Sequence, residues 1–441
     1  MHSETILPTP TVRQAIRLSY AQAMLGAIYG ASTGGVFLIG YALKLGAQNN
    51  HIGLLSTLPM LCVVAQLFAS MAAERGVSRR RMTVLSSIVN ALGWGVVICL
   101  PAVFHRTDQN IQVHALIAII TTLTFFGHVA GNARASWVGD LIPERIRGTF
   151  FGQLNVYGGI IAAVISLAQG LFLDHVAGMG MPAFRIVFIL GMLFGLANAL
   201  LFMPQPDVPL KASERQTPFL SLVKQTFANK ALMSVAVFAL LWSMQGIAGP
   251  FYPTYMLRDL KMSYFGVGIL SGVGLLAMLL ASPFWGRMVD RYGCRPVLLI
   301  CACGIAPLPC LWKFAASAPA VYSIFIPVNA ISGTLSAGIA VALTTLVYKV
   351  TPKEGRSVQL AIYSILVVLL AAPMPMIGGY LPGWLSALGL STDLRCTFYA
   401  QGLFILAAAY SAKFIQDDGA ATAGEMVFQL PIAVKRWRKA A

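Results

Sequence analysis

Charge is what this sequence has least of. Only 10% of its 441 residues are Asp, Glu, Lys or Arg, against about 25% in an ordinary soluble domain, so a water-facing surface cannot be assembled from it. Disorder and coiled coil are excluded on the same ground, since both need many more polar or charged residues. Acid is scarcer than base, 15 residues against 31, for a net charge of +16. The bases sit in short clusters between apolar runs, a pattern of membrane orientation, so no nucleic-acid partner is expected. Cysteine has no metal-ligand spacing. Cys62, Cys99, Cys301, Cys303 and Cys310 lie within apolar runs and Cys294 and Cys396 at their edges, which reads as small buried packing residues. Catalytic signatures are missing too. There is no phosphate-cradling glycine loop and no paired-histidine zinc motif. Gly30-Ala31-Ser32-Thr33-Gly34 matches a nucleophile elbow only in spelling, because no strand precedes it. No enzyme activity, catalytic residue, cofactor or metal is expected.

Apolar length is present in excess. The chain is 57% hydrophobic with a mean hydropathy of +0.75. Runs of the roughly 20 residues needed to cross a bilayer fall at 20–45, 51–73, 82–104, 111–134, 150–173, 183–203, 230–257, 264–286, 296–315, 319–347, 358–385 and 396–415. The expected fold is an all-α, multi-pass membrane protein of twelve transmembrane helices. A Pro-rich, charged stretch at 204–229 divides it into six-helix segments at 1–203 and 230–415, and a basic tail follows at 416–441. With both termini cytoplasmic, 24 of the 31 bases fall in inside loops; only Lys44, Arg106, Arg185, Arg258, Lys261, Lys313 and Arg395 lie outside. That bias sets the expected topology. The first nineteen residues are polar and the first apolar run is too long for a cleavable leader. In the tail, Lys435-Arg436-Trp437-Arg438-Lys439 suits anionic lipid headgroups, the alternative being a plain solvated end.

Two loop motifs recur. Gly286-Arg287-Met288-Val289-Asp290-Arg291-Tyr292-Gly293-Cys294-Arg295 reads G-x-x-x-D-R-x-G-x-R, and Ser70 to Arg80 carries a degenerate copy with Glu74-Arg75 at its centre. Asp140-Leu141-Ile142-Pro143-Glu144-Arg145-Ile146-Arg147-Gly148 is echoed by Pro352-Lys353-Glu354-Gly355-Arg356, with Lys349 where the acid would stand. On these motifs the chain resembles the Major Facilitator Superfamily of secondary transporters. The separations, 216 residues from Glu74 to Asp290 and 209 from Pro143 to Pro352, agree with two pseudo-symmetric halves. The resemblance implies transport of a small solute by alternating access, in a plasma or bacterial inner membrane. It also implies gating roles for Glu74, Arg75, Asp140, Arg147, Asp290, Arg291 and Arg356.

No carboxylate lies in mid-span, where transporters usually keep their proton or cation sites. Polar residues instead form stripes at helical spacing: Gln22, Tyr29 and Thr33; Thr121, Thr124, His128 and Asn132; Trp242, Gln245 and Tyr252; and Asn329, Ser332 and Ser336. These stripes fall in helices one, four, seven and ten, which resemble the family's cavity-lining set. The candidate solute contacts are Gln22, Tyr29, Thr33, Thr124, His128, Asn132, Trp242, Gln245, Tyr252 and Asn329. The alternative for each is interhelical hydrogen bonding. Rings and amides suit a neutral, hydroxyl-rich solute such as a sugar. Export of amphipathic compounds is the second reading, and a non-transporting receptor on the same fold the third. Should a proton be coupled, His128 is the side chain placed to carry it.

Overall fold

The computed structural model describes residues 9–104, 108–207, 219–315, 317–352, 356–390, 393–417, 419–422 and 424–426. They form two compact units, residues 1–214 with 262–268, and residues 215–261 with 269–441. In the first unit the helices are α1 (Thr9–Thr33), α2 (Gly35–Lys44), α3 (Asn49–Leu61), α4 (Ala65–Glu74), α5 (Arg79–Val103), α6 (Gln109–Leu141), α7 (Glu144–His175) and α8 (Met181–Leu200). In the second, α9 (Phe219–Ala228) lies within the expected linker and leads into α10 (Lys230–Ser243), α11 (Phe251–Thr254) and α12 (Tyr264–Tyr292). Then follow α13 (Cys294–Ile305), α14 (Ala318–Val350), α15 (Arg356–Ala371), α16 (Met374–Ala387) and α17 (Cys396–Ser411). Hydrocarbon offers the backbone no hydrogen-bond partner, so each apolar run satisfies its own amides by coiling.

Eleven stretches among the described residues are long and apolar enough to cross a bilayer. The expected twelfth is α17, only 16 residues, extended by a 3₁₀ turn at Ala412–Phe414. At the other extreme, α6 and α14 have 33 residues each, about 50 Å of helix against roughly 30 Å of hydrocarbon. Their ends therefore stand in the polar zone, where hydropathy fades. The same effect carries α1 back to Thr9, well before the expected start near residue 20, with Arg13 and Arg17 exposed.

Burial follows a lipid rule. On α5, Val84, Ala91 and Trp94 are buried while Leu85, Leu92 and Val96 are exposed, one face packing inward and the other meeting acyl chains. This corrects one expectation. Cys294 and Cys301 are buried, but Cys99, Cys303 and Cys310 are exposed, since a thiol on an apolar helix can face hydrocarbon as readily as protein.

Two local features shape the first unit. The first long span breaks at Gly34-Gly35, where Gly34 is extended (φ −129°, ψ −165°) and Gly35 has φ +54°, a conformation that favours glycine. At the far end of α7, the Asp174 carboxylate accepts from the amides of Tyr264 and Phe265 at 2.8 and 2.9 Å. It thereby caps the first turn of α12, whose residues through Gly268 belong to the first unit. In the second unit the spans at α10–α11 and α15–α16 are also interrupted. Around Pro373 the chain restarts as α16 so closely that a Cβ on Gly378 would stand 2.1 Å from the Ile247 carbonyl oxygen. The Pro375-Met376-Ile377-Gly378-Gly379 run is therefore a packing device, as small residues at membrane helix contacts usually are.

Candidate substrate cavity

Within the first unit, α1, α2, α3, α5 and α6 line a partly open cavity of about 590 Å³, inside the range of small-molecule sites. Its lining includes Tyr29, Thr33 and Gly34 from the broken first span, Leu55, Ser56 and Pro59 from α3, and Asn90 and Trp94 from α5. From α6 come Ile120, Leu123, Thr124, Gly127 and His128. The break at Gly34 brings backbone to the cavity wall without a side chain to fill it.

The polar atoms here are largely occupied by one another. Trp94 Nε1 donates to the Tyr29 hydroxyl at 2.9 Å, Tyr29 donates to Asn90 Oδ1, and Asn90 Nδ2 donates to the Leu123 carbonyl at 2.9 Å. Thr33 and Thr124 turn their hydroxyl protons back onto their own helices, to the carbonyls of Tyr29 (2.7 Å) and Ile120 (2.8 Å). The His128 ring meets α4: Nδ1 lies 3.2 Å from Gln66 Nε2, and Pro59 lines the same cavity. The cavity's other hydroxyl is that of Ser56. Leu38, Leu55, Pro59, Ile120 and Leu123 supply most of the remaining wall. Such a space offers shape and apolar surface, few free hydrogen bonds, and no charge.

Of the ten candidate contacts, Tyr29, Thr33, Thr124 and His128 share this cavity. Gln22 is elsewhere: it is buried, donating to the Leu201 carbonyl at 3.0 Å and to Gln205 Oε1 at 2.6 Å. Asn132 ties α6 to α4 through the Gln66 carbonyl (3.1 Å) and Ser70 Oγ (2.9 Å). In the second unit Tyr252 stacks on Phe398 at 4.3 Å between centroids and donates to Gln401. Gln401 in turn donates to Gln245 Oε1 at 3.3 Å. Asn329 bonds the Phe325 carbonyl of its own helix at 2.8 Å, and Trp242 packs against the unit's apolar core. Asn90 and Trp94 were not singled out from sequence. Their only signal is a four-residue spacing on a helix that is otherwise apolar from Ile88 onward.

Among the gating candidates, Asp140 pairs with Arg79 at 2.6 Å, and the same Arg79 nitrogen donates to Ser136 Oγ at 2.8 Å. Arg79 is buried while Asp140 is half exposed. Arg79 had its own sequence signal, since it stands five residues after Glu74 as Arg295 stands five after Asp290. Arg75, Asp290 and Arg291 are exposed, and the Arg291 guanidinium lies over the Tyr292 ring at 5.2 Å. The side chains of Glu74, Arg147 and Arg356 lie outside the described residues, as do the basic cluster at 435–439 and its expected contact with lipid.

These features define a polytopic, all-helical membrane protein with a solute-sized cavity inside its first unit. The profile of the Major Facilitator Superfamily matches residues 21–248 and 233–425, and the chain belongs to that family. It is similar to a multi-drug resistance efflux pump PmrA homolog of Lactococcus lactis subsp. lactis (strain IL1403), at 24% identity over 79% of this chain and 84% of the relative. A putative proline/betaine transporter of Staphylococcus haemolyticus (strain JCSC1435) is 24% identical over 44% of this chain and 42% of its own length. Among solved structures, the D-xylose-proton symporter has a TM-score of 0.67 at 13% identity, covering 93% of this chain and 100% of the symporter. The nucleoside transporter NupG has 0.63 at 14% identity, covering 92% and 98%. At those identities the structures speak for the fold alone.

Proposed function

We propose that this transporter moves uncharged, amphipathic organic compounds by alternating access, in the direction of export. The observation that carries this reading is the hydrogen-bond ledger of the cavity. Tyr29, Asn90 and Trp94 satisfy each other, Thr33 and Thr124 satisfy their own helices, and the remaining wall is mostly apolar. A hydroxyl-rich solute would surrender its bonds to water here without replacement, at about 1–3 kcal/mol for each buried group left unpaired. A ring system or acyl group loses nothing on entry and gains about 25 cal/mol for each Å² removed from water. The similarity to an efflux pump over most of the chain supports the same direction.

The sugar reading rests on the aromatic rings, which can stack on apolar sugar faces. One panel separates the two. Proteoliposomes are tested with lipophilic uncharged dyes and with radiolabelled monosaccharides and nucleosides. Dye movement without sugar or nucleoside movement is the expected result; saturable uptake of a hydroxyl-rich solute alone overturns the proposal.

We read His128 as a bridge between α6 and α4 rather than as a proton carrier, because its ring nitrogen lies 3.2 Å from the Gln66 side-chain amide. Solute-driven pH change that is present in wild type and lost in His128→Gln would reverse that reading. For orientation in a plasma or bacterial inner membrane, the 24-to-7 distribution of bases supports cytoplasmic ends. A reporter fused after Arg215 should score cytoplasmic, and an external signal there would remove the assignment.

A further inference from the structure

The second unit carries a charge inversion that its own tail corrects. In the first unit the acid at the end of α6, Asp140, pairs with Arg79 at the start of α5. The corresponding place at the end of α14 holds a base, Lys349, three residues before Pro352 as Asp140 is three before Pro143.

The acid comes from beyond α17. The Asp417 carboxylate, 1% exposed, accepts from Lys349 Nζ at 2.6 Å. It also accepts from the backbone amides of Cys294 and Arg295, at 2.7 and 3.0 Å, and so caps α13. The chain continues along the same turn. Ala421 donates its amide to the Tyr292 carbonyl at 2.9 Å. Gly293, at φ +89°, leaves room where a Cβ would stand 2.6 Å from Ala420 Cβ. Thr422 and Glu425 bond reciprocally, side chain to amide, at 2.9 and 3.3 Å. Met426 is fully buried in the core that α12, α13 and α14 share.

We propose that Asp417, Ala420, Ala421 and Met426 form a built-in clamp, which fastens the α12–α13 turn to the end of α14 and answers the base that stands where the first repeat has its acid. Its consequence is mechanical. A carboxylate binding two amides and an ammonium makes the ends of three helices one body, so the second unit carries its motif loop rigidly through the transport cycle. The proposal does not depend on the identity of the solute.

The probe is Cys294, whose amide Asp417 holds and whose side chain is 3% exposed. Full-length protein in detergent is treated with N-ethylmaleimide, and modification of each cysteine is followed by peptide mass spectrometry. Asp417→Asn should raise the Cys294 rate roughly tenfold, in keeping with loss of charge-assisted bonds, while Cys62 in the first unit stays unchanged. Lys349→Met should raise it less, about threefold, because the two amide bonds remain. Combining the two should give no more than Asp417→Asn alone. If Asp417→Asn fails to fold, the Lys349→Met arm decides. A Cys294 rate that does not respond in whichever variant folds, or a multiplicative double variant, would overturn the clamp.

Discussion

Removing the hydroxyl of Tyr29 separates a packing role from a solute-binding role. Tyr29→Phe keeps the ring against α8, where Gly195 leaves no room between the helices: a Cβ there would stand 2.6 Å from the tyrosine ring. What goes is one bond accepted from Trp94, itself only 4% exposed, and one donated to Asn90. Each is worth about 1 kcal/mol net, so the variant should lose about 2 kcal/mol. At roughly 2–4 °C per kcal/mol for a body of this size, the melting temperature should fall by roughly 4–8 °C. The hydroxyl is already engaged on both sides, so solute has little to lose, and the half-saturation concentration should change by less than about twofold. Thermal unfolding in detergent and initial transport rates in proteoliposomes measure the two effects. An unchanged melting temperature with a half-saturation constant raised about tenfold would show the hydroxyl bonding solute, and the argument from occupied hydrogen bonds would fail.

Asp140→Asn should destabilise by about 2 kcal/mol, discounted from the roughly 3–5 of a fully buried pair because Asp140 is half exposed; differential scanning fluorimetry reads it, with Arg79→Met alone and combined to complete the cycle. Gly378→Ala should cost about 1–3 kcal/mol by overpacking, because the carbonyl in the way at 2.1 Å is backbone, and reduced melting temperature with normal membrane insertion is the expected pair of observations. For Asp417, burial alone would raise the carboxyl, but the bond to Lys349 and the amides of Arg295 and Cys294 outweigh it and hold it below its ordinary 3.8. A depressed carboxylate stabilises above its unfolded pKa and loses that contribution as pH falls through its folded one. The stability gap between wild type and Asp417→Asn should therefore be constant above about pH 5 and shrink below about pH 4. A gap that persists unchanged to pH 3 would contradict the ion pair.

The all-helical membrane architecture and its apolar spans were written in composition and run length, because lipid forces each segment to satisfy its own backbone and so makes the reading local. The loop motifs were legible as short runs of neighbouring residues, whereas the pairing of Asp140 with Arg79 at 2.6 Å came from the fold. Tertiary structure decided what the polar residues do. A Thr or Asn stripe looks identical whether its protons point into a cavity or back at its own helix, as at Thr33, Thr124 and Asn329; the rotamer is chosen by neighbours distant in sequence. Gln22 and Tyr252 met partners 183 and 149 residues away, which no helical periodicity reveals. Asp417 is the extreme case: one acid in a tail, 68 residues from Lys349, made significant only because the fold brings a reversed charge to meet it.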